Sequence, residues 1–174
     1  MRKAFIMKKT LYIVRHAHAE DLGNVRMFKD FDRRLTSKGI MQSAKLGQYF
    51  KTQKISIDFY LSSPAVRAYE TAKVILEQFG KDQSLIQTNE NLYGGGPKSY
   101  LAGINSISSI VPSAAIFGHN PDITFFAEYL TRDDIQGSMK KATVIQLEFE
   151  GLEWNEISGN TGSLVNRIDV ADLN

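Results

Sequence analysis

The sequence predicts an α/β protein of three layers, α/β/α, with a mostly parallel central sheet and an antiparallel edge. Strand-like and helix-like segments alternate from residue 10 to residue 130, as in parallel strands joined by crossover helices. After residue 143 strand-like segments follow one another without helices, which is typical of antiparallel strands. The 174 residues suit one domain, which we place at 8–174, and we expect residues 1–7 to form a disordered or short extension.

The first part of the chain predicts two strands with a helix between them. Residues 10–16 are apolar on both faces, as in a strand at the centre of a sheet. Residues 57–61 form the second strand-like run. Between them, residues 36–53 predict a helix with apolar residues at helical spacing. These positions are Ile40, Ala44 and Gly47.

Residues 64–79 give the clearest helical pattern. Ser63 is a favourable N-cap, Pro64 suits the first helical position, and Gly80 suits the stop. One apolar stripe runs along the predicted helix. It consists of Ala65, Ala68, Ala72, Ile75, Leu76 and Phe79.

The remaining segments complete the predicted sheet. Residues 84–88 suit a short strand, 98–111 a helix and 114–117 another strand, after which Asn120-Pro121-Asp122 opens a helix that reaches Leu130. Beyond it, 144–149 and 152–157 alternate around Glu150-Gly151, and this pattern predicts a β-hairpin. Residues 164–168 are expected to add an edge strand.

Composition excludes several classes of function. The net charge of +2 is too small to indicate nucleic-acid or membrane binding, and no run approaches the ~20 apolar residues of a membrane span. The chain has no cysteine, which excludes disulfides, thiolate metal sites and the cysteine phosphatases. A hydrophobic content of 43% with 23% charged residues is ordinary for a soluble protein, and we expect a cytoplasmic one.

Three segments with basic side chains follow predicted strands. They are Arg15-His16-Ala17, Ser62-Ser63-Pro64-Ala65-Val66-Arg67 and Gly118-His119-Asn120-Pro121. In an open α/β sheet the carboxyl ends of the strands meet at the ligand site. Arg67 and His119 also lie near predicted helix N-termini, which favour anions. The sequence therefore predicts a phosphate site with a histidine at its centre.

Each segment taken alone has an ordinary explanation, as a surface pair, a helix-surface arginine or a turn histidine, and only their joint placement favours a site. Two other functional classes stay open. One is a metal hydrolase, in which His16, His18 and His119 would form an imidazole cluster, although Arg15 would repel a dication. The other is a non-catalytic phosphate-binding domain. The glycine-rich segment 94–99 lacks the spacing of a phosphate-binding loop.

Four blocks in order resemble the histidine phosphatase superfamily, whose fold is the phosphoglycerate mutase-like fold. They are 14–19, 33–39, 62–72 and 118–121. The chain is most similar to the small phosphohistidine phosphatase branch. It has Ala17 where the larger enzymes usually carry glycine, and it lacks the insertions that cap their sites.

The resemblance implies a role for each basic residue. His16 would be the nucleophile and would pass through a phosphohistidine intermediate. Arg15, Arg67 and His119 would hold the phosphoryl oxygens, and Arg33 would contact phosphate or substrate. We expect the two arginines beside His16 to keep it neutral, and a backbone carbonyl to fix its tautomer. The resemblance implies neither a metal nor a cofactor.

The proton donor is left open by the sequence. Glu90 follows a short predicted strand where mutase-like relatives place their acid, while Asp21 and Asp32 are other candidates. An alcohol leaving from phosphorus needs a proton, whereas an imidazole, with a pKa near ~6.5, leaves readily. We therefore expect the substrate to be phosphohistidine on a signalling or phosphotransfer protein. The alternative is a phosphomonoesterase acting on a small phosphorylated metabolite.

Overall fold

A six-stranded sheet forms the centre of the molecule in the computed structural model, which describes residues 7–21, 23 and 30–174. The strands are β1 (Lys8–Arg15), β2 (Phe59–Ser62), β3 (Ile86–Thr88), β4 (Ser113–Gly118), β5 (Thr143–Glu150) and β6 (Ser163–Asp169). Their order is β3-β2-β4-β1-β5-β6. The first four pair in parallel, whereas β5 is antiparallel to both β1 and β6. The predicted mostly parallel sheet with an antiparallel edge is confirmed.

In the described residues, four α-helices cover the two faces of this sheet. They are α1 (Ser37–Thr52), α2 (Val66–Gln78), α3 (Pro97–Asn105) and α4 (Asp122–Leu130). Alternate residues of β1 face opposite layers, because successive side chains of a strand point to opposite sides. Leu11 and Ile13 pack in the cluster that contains α3 and α4, while Tyr12 and Val14 pack with α1 and α2. This arrangement is the predicted three-layer α/β/α architecture.

Strand order brings the three motif segments to one edge of the sheet. β4 lies between β1 and β2, and its last residues pair with Arg15 and Ser62. The ladder continues past the strand ends, because His16 N donates to Gly118 O (3.1 Å) and Ser63 N donates to Phe117 O (3.0 Å). The residues that follow β1, β2 and β4 are therefore neighbours.

The predicted hairpin over 144–149 and 152–157 is wrong in its second arm. β5 forms as expected, but the chain after Gly151 turns into a short 3₁₀ helix, Trp154–Glu156. Trp154 is fully buried and its Nε1 donates to Val111 O (2.7 Å), while a capping box fixes the helix start. Burial of the indole therefore overrides the alternating pattern. β6, rather than a strand over 152–157, pairs with β5 on the edge that faces away from β1.

Helix ends also differ from the prediction. α2 begins at Val66 with Ala65 as its N-cap, and the side chain of Ser63 instead bonds to Ala65 N and to a histidine of the site. α3 ends at Asn105 rather than at residue 111. Asn105 Nδ2 donates to Trp154 O (2.6 Å), so the 3₁₀ helix packs at the point where α3 stops.

The buried face of α1 matches the predicted apolar positions only in part, because Gly47 is buried but Ala44 is only partly so. Ile40 is half exposed, whereas Gly39, Leu46 and Phe50 are buried against the sheet. An added Cβ at Gly39 would lie 2.0 Å from His18 O, so a glycine permits this contact.

The predicted extension, 1–7, lies outside the described residues except for Met7. Met7 O accepts a hydrogen bond from Gly151 N (2.8 Å), which extends the pairing of β1 with β5 by one step. None of the helices in the described part of the chain has the length and apolar character needed to cross a membrane.

Candidate active site

His16 follows β1, and its ring is held in one orientation. Nδ1 lies 2.7 Å from Ala17 O, so Nδ1 carries the hydrogen and donates it to this carbonyl. The sequence predicts such a backbone carbonyl as the group that fixes the tautomer. Nε2 then carries the free lone pair. Thr71 supports this turn from α2, because its hydroxyl accepts from Ala17 N (3.0 Å) and donates to Arg67 O (2.7 Å). The arrangement presents a buried imidazole nitrogen that can act as a nucleophile.

His119 follows β4 and faces His16, with 5.3 Å between the ring centroids. Its Nε2 lies 2.7 Å from Ser63 Oγ, and its backbone N donates to the hydroxyl of Tyr100 (3.0 Å). His119 Nδ1 is buried and has no hydrogen-bond partner among the described residues. A buried polar atom of this kind is costly unless a ligand satisfies it.

Arg15 and Arg67 are each held at the tip of the guanidinium. Arg15 Nη1 donates to Met139 O (2.8 Å). Arg67 Nη1 donates to Asp30 O (2.7 Å), and its Nη2 to Asp30 Oδ2 (3.0 Å). The Nε atoms of both arginines are buried and lack a partner within the described part of the chain. Both guanidinium groups therefore retain a donor for an anion.

Asp30 connects several groups around the site. Its Oδ1 accepts from Arg33 Nη1 (3.0 Å), and its Oδ2 accepts from the hydroxyl of Tyr93 (2.7 Å) as well as from Arg67. Partial burial opposes ionisation, but the hydrogen bonds from Tyr93 and Arg33 and the charge of Arg67 lower the pKa of Asp30 to about 2. The ring of Tyr93 packs edge-on against His119, with 5.7 Å between the centroids.

Both histidines are neutral at pH 7 in this environment. Burial lowers the pKa of His16 to about 3, and the charges of Arg67 and Arg15 act in the same direction. Burial also lowers the pKa of His119 to about 3, again with a contribution from Arg67. Burial is therefore the larger cause of the neutral state of His16, and the two arginines, which the sequence predicts as the cause, add to it.

The structure brings together His16, Arg15, Arg67 and His119, and it places Arg33 next to them through Asp30. Glu90 is not joined to this group. It lies in the 3₁₀ turn after β3, its side chain is exposed, and its carboxylate makes no hydrogen bond with the described residues of the site.

Sequence reasoning missed three residues of the site. Asp30 precedes Arg33 by three residues, at the spacing of a helical ion pair, but nothing local indicated the link to Arg67. The sequence predicts Ser63 as a helix cap, and no local pattern connects Tyr93 with His119.

The site suits an anion better than a metal ion. Across residues 7–21, 23 and 30–174, no three His, Asp or Glu side chains come together as a metal-binding group. His18, which the metal-hydrolase alternative required, places its Nδ1 2.7 Å from Thr36 Oγ1. The groups that flank His16 are cationic, and two such groups attract an oxyanion and repel a dication.

Comparisons with known proteins agree with the geometry. Residues 11–93 match the model of the histidine phosphatase superfamily (branch 1). An uncharacterised protein of Mycobacterium leprae is 33% identical over 102 residues, which cover 59% of this chain, and the chain spans 60% of the length of that relative.

Solved structures share the fold over nearly the whole chain. The putative phosphohistidine phosphatase SixA of Agrobacterium tumefaciens is 22% identical, with a TM-score of 0.76 over 92% of this chain and 97% of that chain. The protein histidine phosphatase SixA in complex with tungstate is 20% identical, with a TM-score of 0.79 over 95% and 99%. The family model over residues 11–93, the shared fold and the order of the four blocks make this chain similar to the histidine phosphatase superfamily.

Proposed function

We propose that the protein is a phosphatase that works through a phosphohistidine intermediate on His16 Nε2. The observation that carries this proposal is a neutral ring, fixed by Ala17 O, beside cationic side chains with unused donors. Arg15 Nε and Arg67 Nε are two buried donors that a phosphoryl oxygen would satisfy.

The reaction we propose has two in-line steps. The lone pair of His16 Nε2 forms a bond to phosphorus while the bond to the leaving group breaks, and the leaving group keeps that electron pair. Water then attacks phosphorus, the P–N bond breaks and its electron pair returns to Nε2, which releases inorganic phosphate. Arg15, Arg67 and His119 stabilise the charge on the phosphoryl oxygens in both steps. No step requires a metal ion, so we propose a metal-independent enzyme.

The carboxyl groups near the site are poorly placed or poorly protonated to act as proton donors. This favours a substrate whose leaving group departs without a strong acid. The one carboxylate that is hydrogen-bonded to the proposed phosphate ligands, among the described residues, is that of Asp30. Its pKa of about 2 means that it carries no proton to donate at pH 7. Glu90 remains our proposed donor for ester substrates, and its carboxylate is exposed.

We therefore propose phosphohistidine on a cytoplasmic signalling or phosphotransfer protein as the substrate. An imidazole leaves phosphorus without a strong acid, whereas an alkoxide does not. The names of the SixA structures, which describe phosphohistidine phosphatases, support the same substrate class.

The test uses a phosphotransfer protein labelled with radioactive phosphate on histidine. We expect the wild-type enzyme to release phosphate and to carry label that is stable in alkali and labile in acid. We expect His16→Asn to lose at least ~1,000-fold in turnover, because the nucleophile is removed. His18→Asn is the matched control and should keep wild-type turnover. Equal release by His16→Asn and the wild type would overturn the mechanism.

Two further measurements test the metal and substrate parts of the proposal. Turnover should survive treatment with a chelator and should be inhibited by vanadate, which mimics the transferred phosphoryl group. Loss of turnover on chelation would contradict metal independence. An enzyme that ignores phosphohistidine proteins and rapidly hydrolyses a small phosphorylated metabolite would instead be the alternative phosphomonoesterase.

A further inference from the structure

Arg167 lies on the edge strand β6, and its guanidinium donates hydrogen bonds to several consecutive backbone carbonyl oxygens. The side chain is only 6% exposed. Asp169 holds one side of the guanidinium, with Oδ2 3.0 Å from Nε. The Nη atoms donate to four successive carbonyl oxygens, those of Ile135 (2.7 Å), Gln136 (3.1 Å), Gly137 (2.8 Å) and Ser138 (3.1 Å).

The backbone of this segment takes a conformation that needs support. Gln136 and Gly137 both have positive φ, at 68° and 84°. Two successive left-handed residues turn neighbouring carbonyls to the same side of the chain, and the left-handed region is unfavourable for a residue with a Cβ. The Arg167 guanidinium compensates by offering its donors to the carbonyls that this turn brings together.

The segment ends at Met139, whose peptide groups are bound to the active site. Met139 O accepts from Arg15 Nη1 (2.8 Å) and from Asn120 Nδ2 (2.9 Å). Met139 N donates to Thr124 Oγ1 (3.1 Å), and the same hydroxyl donates to Asn120 Oδ1 (2.6 Å). Met139 O is the acceptor that holds the Arg15 guanidinium.

We propose that Arg167 is a positioning residue for Arg15. By fixing the carbonyls of 135–138, it sets the place of Met139 O, which in turn holds Arg15 Nη1 and leaves Arg15 Nε free for a phosphoryl oxygen. The inference rests on the proposed function, because it assigns Arg15 to the anion. A small displacement of a group that contacts the transferred phosphoryl is enough to weaken an oriented contact.

A purely structural role for Arg167 makes a different prediction. In that case its removal would lower the melting temperature, but each folded molecule would bind an oxyanion as well as the wild type does. The positioning role predicts weaker oxyanion binding that depends on the presence of Arg15. A double-mutant cycle separates the two, because it measures whether one residue acts through the other.

The experiment measures tungstate affinity by calorimetry, well below the melting temperature of each variant. The proteins are the wild type, Arg167→Met, Arg15→Ala and the double variant, with Arg132→Met as the matched control. Arg132 is an exposed arginine at the start of the same α4–β5 connection, and we expect wild-type affinity for its variant. Arg167→Met should weaken binding about tenfold in the wild-type background and less than about twofold in the Arg15→Ala background.

Two results would contradict the positioning role. Unchanged affinity in Arg167→Met, or the same loss in both backgrounds, overturns the positioning role. If Arg167→Met does not fold, Arg167→Lys replaces it in the double-mutant cycle. We then expect tungstate affinity to fall about threefold, because an ammonium group has fewer donors than a guanidinium. A wild type that binds tungstate but releases no phosphate from any phosphorylated substrate refutes the proposed function, and the double-mutant cycle can still be measured. A wild type that does not bind tungstate overturns both.

Discussion

Ser63 is a buried residue whose single hydroxyl serves two neighbours. Its Oγ accepts from Ala65 N (3.3 Å) and lies 2.7 Å from His119 Nε2. When the hydroxyl hydrogen is donated to Nε2, the neutral ring carries its own hydrogen on Nδ1. That atom is the one without a partner, so the hydroxyl sets the tautomer in which His119 presents a donor to an anion.

Ser63→Ala should therefore lower turnover of a phosphorylated substrate about tenfold, because the ring loses the contact that fixes its tautomer. Steady-state kinetics measure the loss, and the nitrogen chemical shifts of His119 report the tautomer. Ser62→Ala is the control, since the Ser62 hydroxyl donates to Ser63 O (2.8 Å) and, among the described residues, makes no contact with His119. Equal turnover in Ser63→Ala and Ser62→Ala would contradict this role.

At the scale of elements, a close contact between β4 and α3 supports the site. Gly118 ends β4, and a Cβ built there would lie 2.0 Å from the Tyr100 hydroxyl. The lack of a side chain lets Tyr100 approach, accept from His119 N (3.0 Å) and donate to Leu92 O (3.2 Å). The buried tyrosine thus connects the end of a strand, a helix and the turn after β3.

Gly118→Ala should destabilise the protein by roughly 1–3 kcal/mol, because the methyl group overlaps a fully buried ring that has no room to move. Urea unfolding measures the change. Gly103→Ala is the matched control, since the nearest atom to its Cβ is the flexible Leu61 Cδ2 at 2.9 Å and alanine favours the helix. A smaller loss in Gly118→Ala than in Gly103→Ala would refute the argument.

The strands and helices were largely predictable from the sequence, whereas several contacts between them were not. Periodic apolar patterns predicted the strands and helices that form the three layers, and strand-end motifs predicted the meeting of His16 and His119, because parallel topology alone brings such ends together. Trp154 could not be predicted in this way, since the indole takes its position from a partner 43 residues away. Asp30 and Arg167 also act through contacts distant in sequence, and no local period reveals those.

At the scale of the whole molecule, two buried neutral histidines couple folding to pH. The pKa of His16 and that of His119 are both lowered to about 3 in the native state, from the ordinary value of 6.5. Above pH 6.5 both states hold neutral rings and the two residues contribute no pH dependence. As the pH falls from 6.5 towards 3, the two histidines bind protons in the unfolded chain but remain neutral in the native state. The free energy of unfolding therefore decreases.

We expect the free energy of unfolding to fall between pH 6.5 and pH 4 by up to about 1.4 kcal/mol per pH unit for each of the two rings. Urea unfolding at half-unit intervals of pH gives the slope. The variant His16→Gln/His119→Gln should have a flatter profile than the wild type over this interval, whatever its stability at pH 7. Parallel profiles would show that the two rings do not cause the acid sensitivity.

The sheet order has a consequence for synthesis on the ribosome. His16 directly follows β1, whose partners in the sheet are β4 and β5, and both of these strands come much later in the sequence. A nascent polypeptide that ends before β4 leaves this apolar strand without either neighbour, and its exposed edge can pair wrongly with other chains. His16 is thus translated well before the two strands that complete its surroundings.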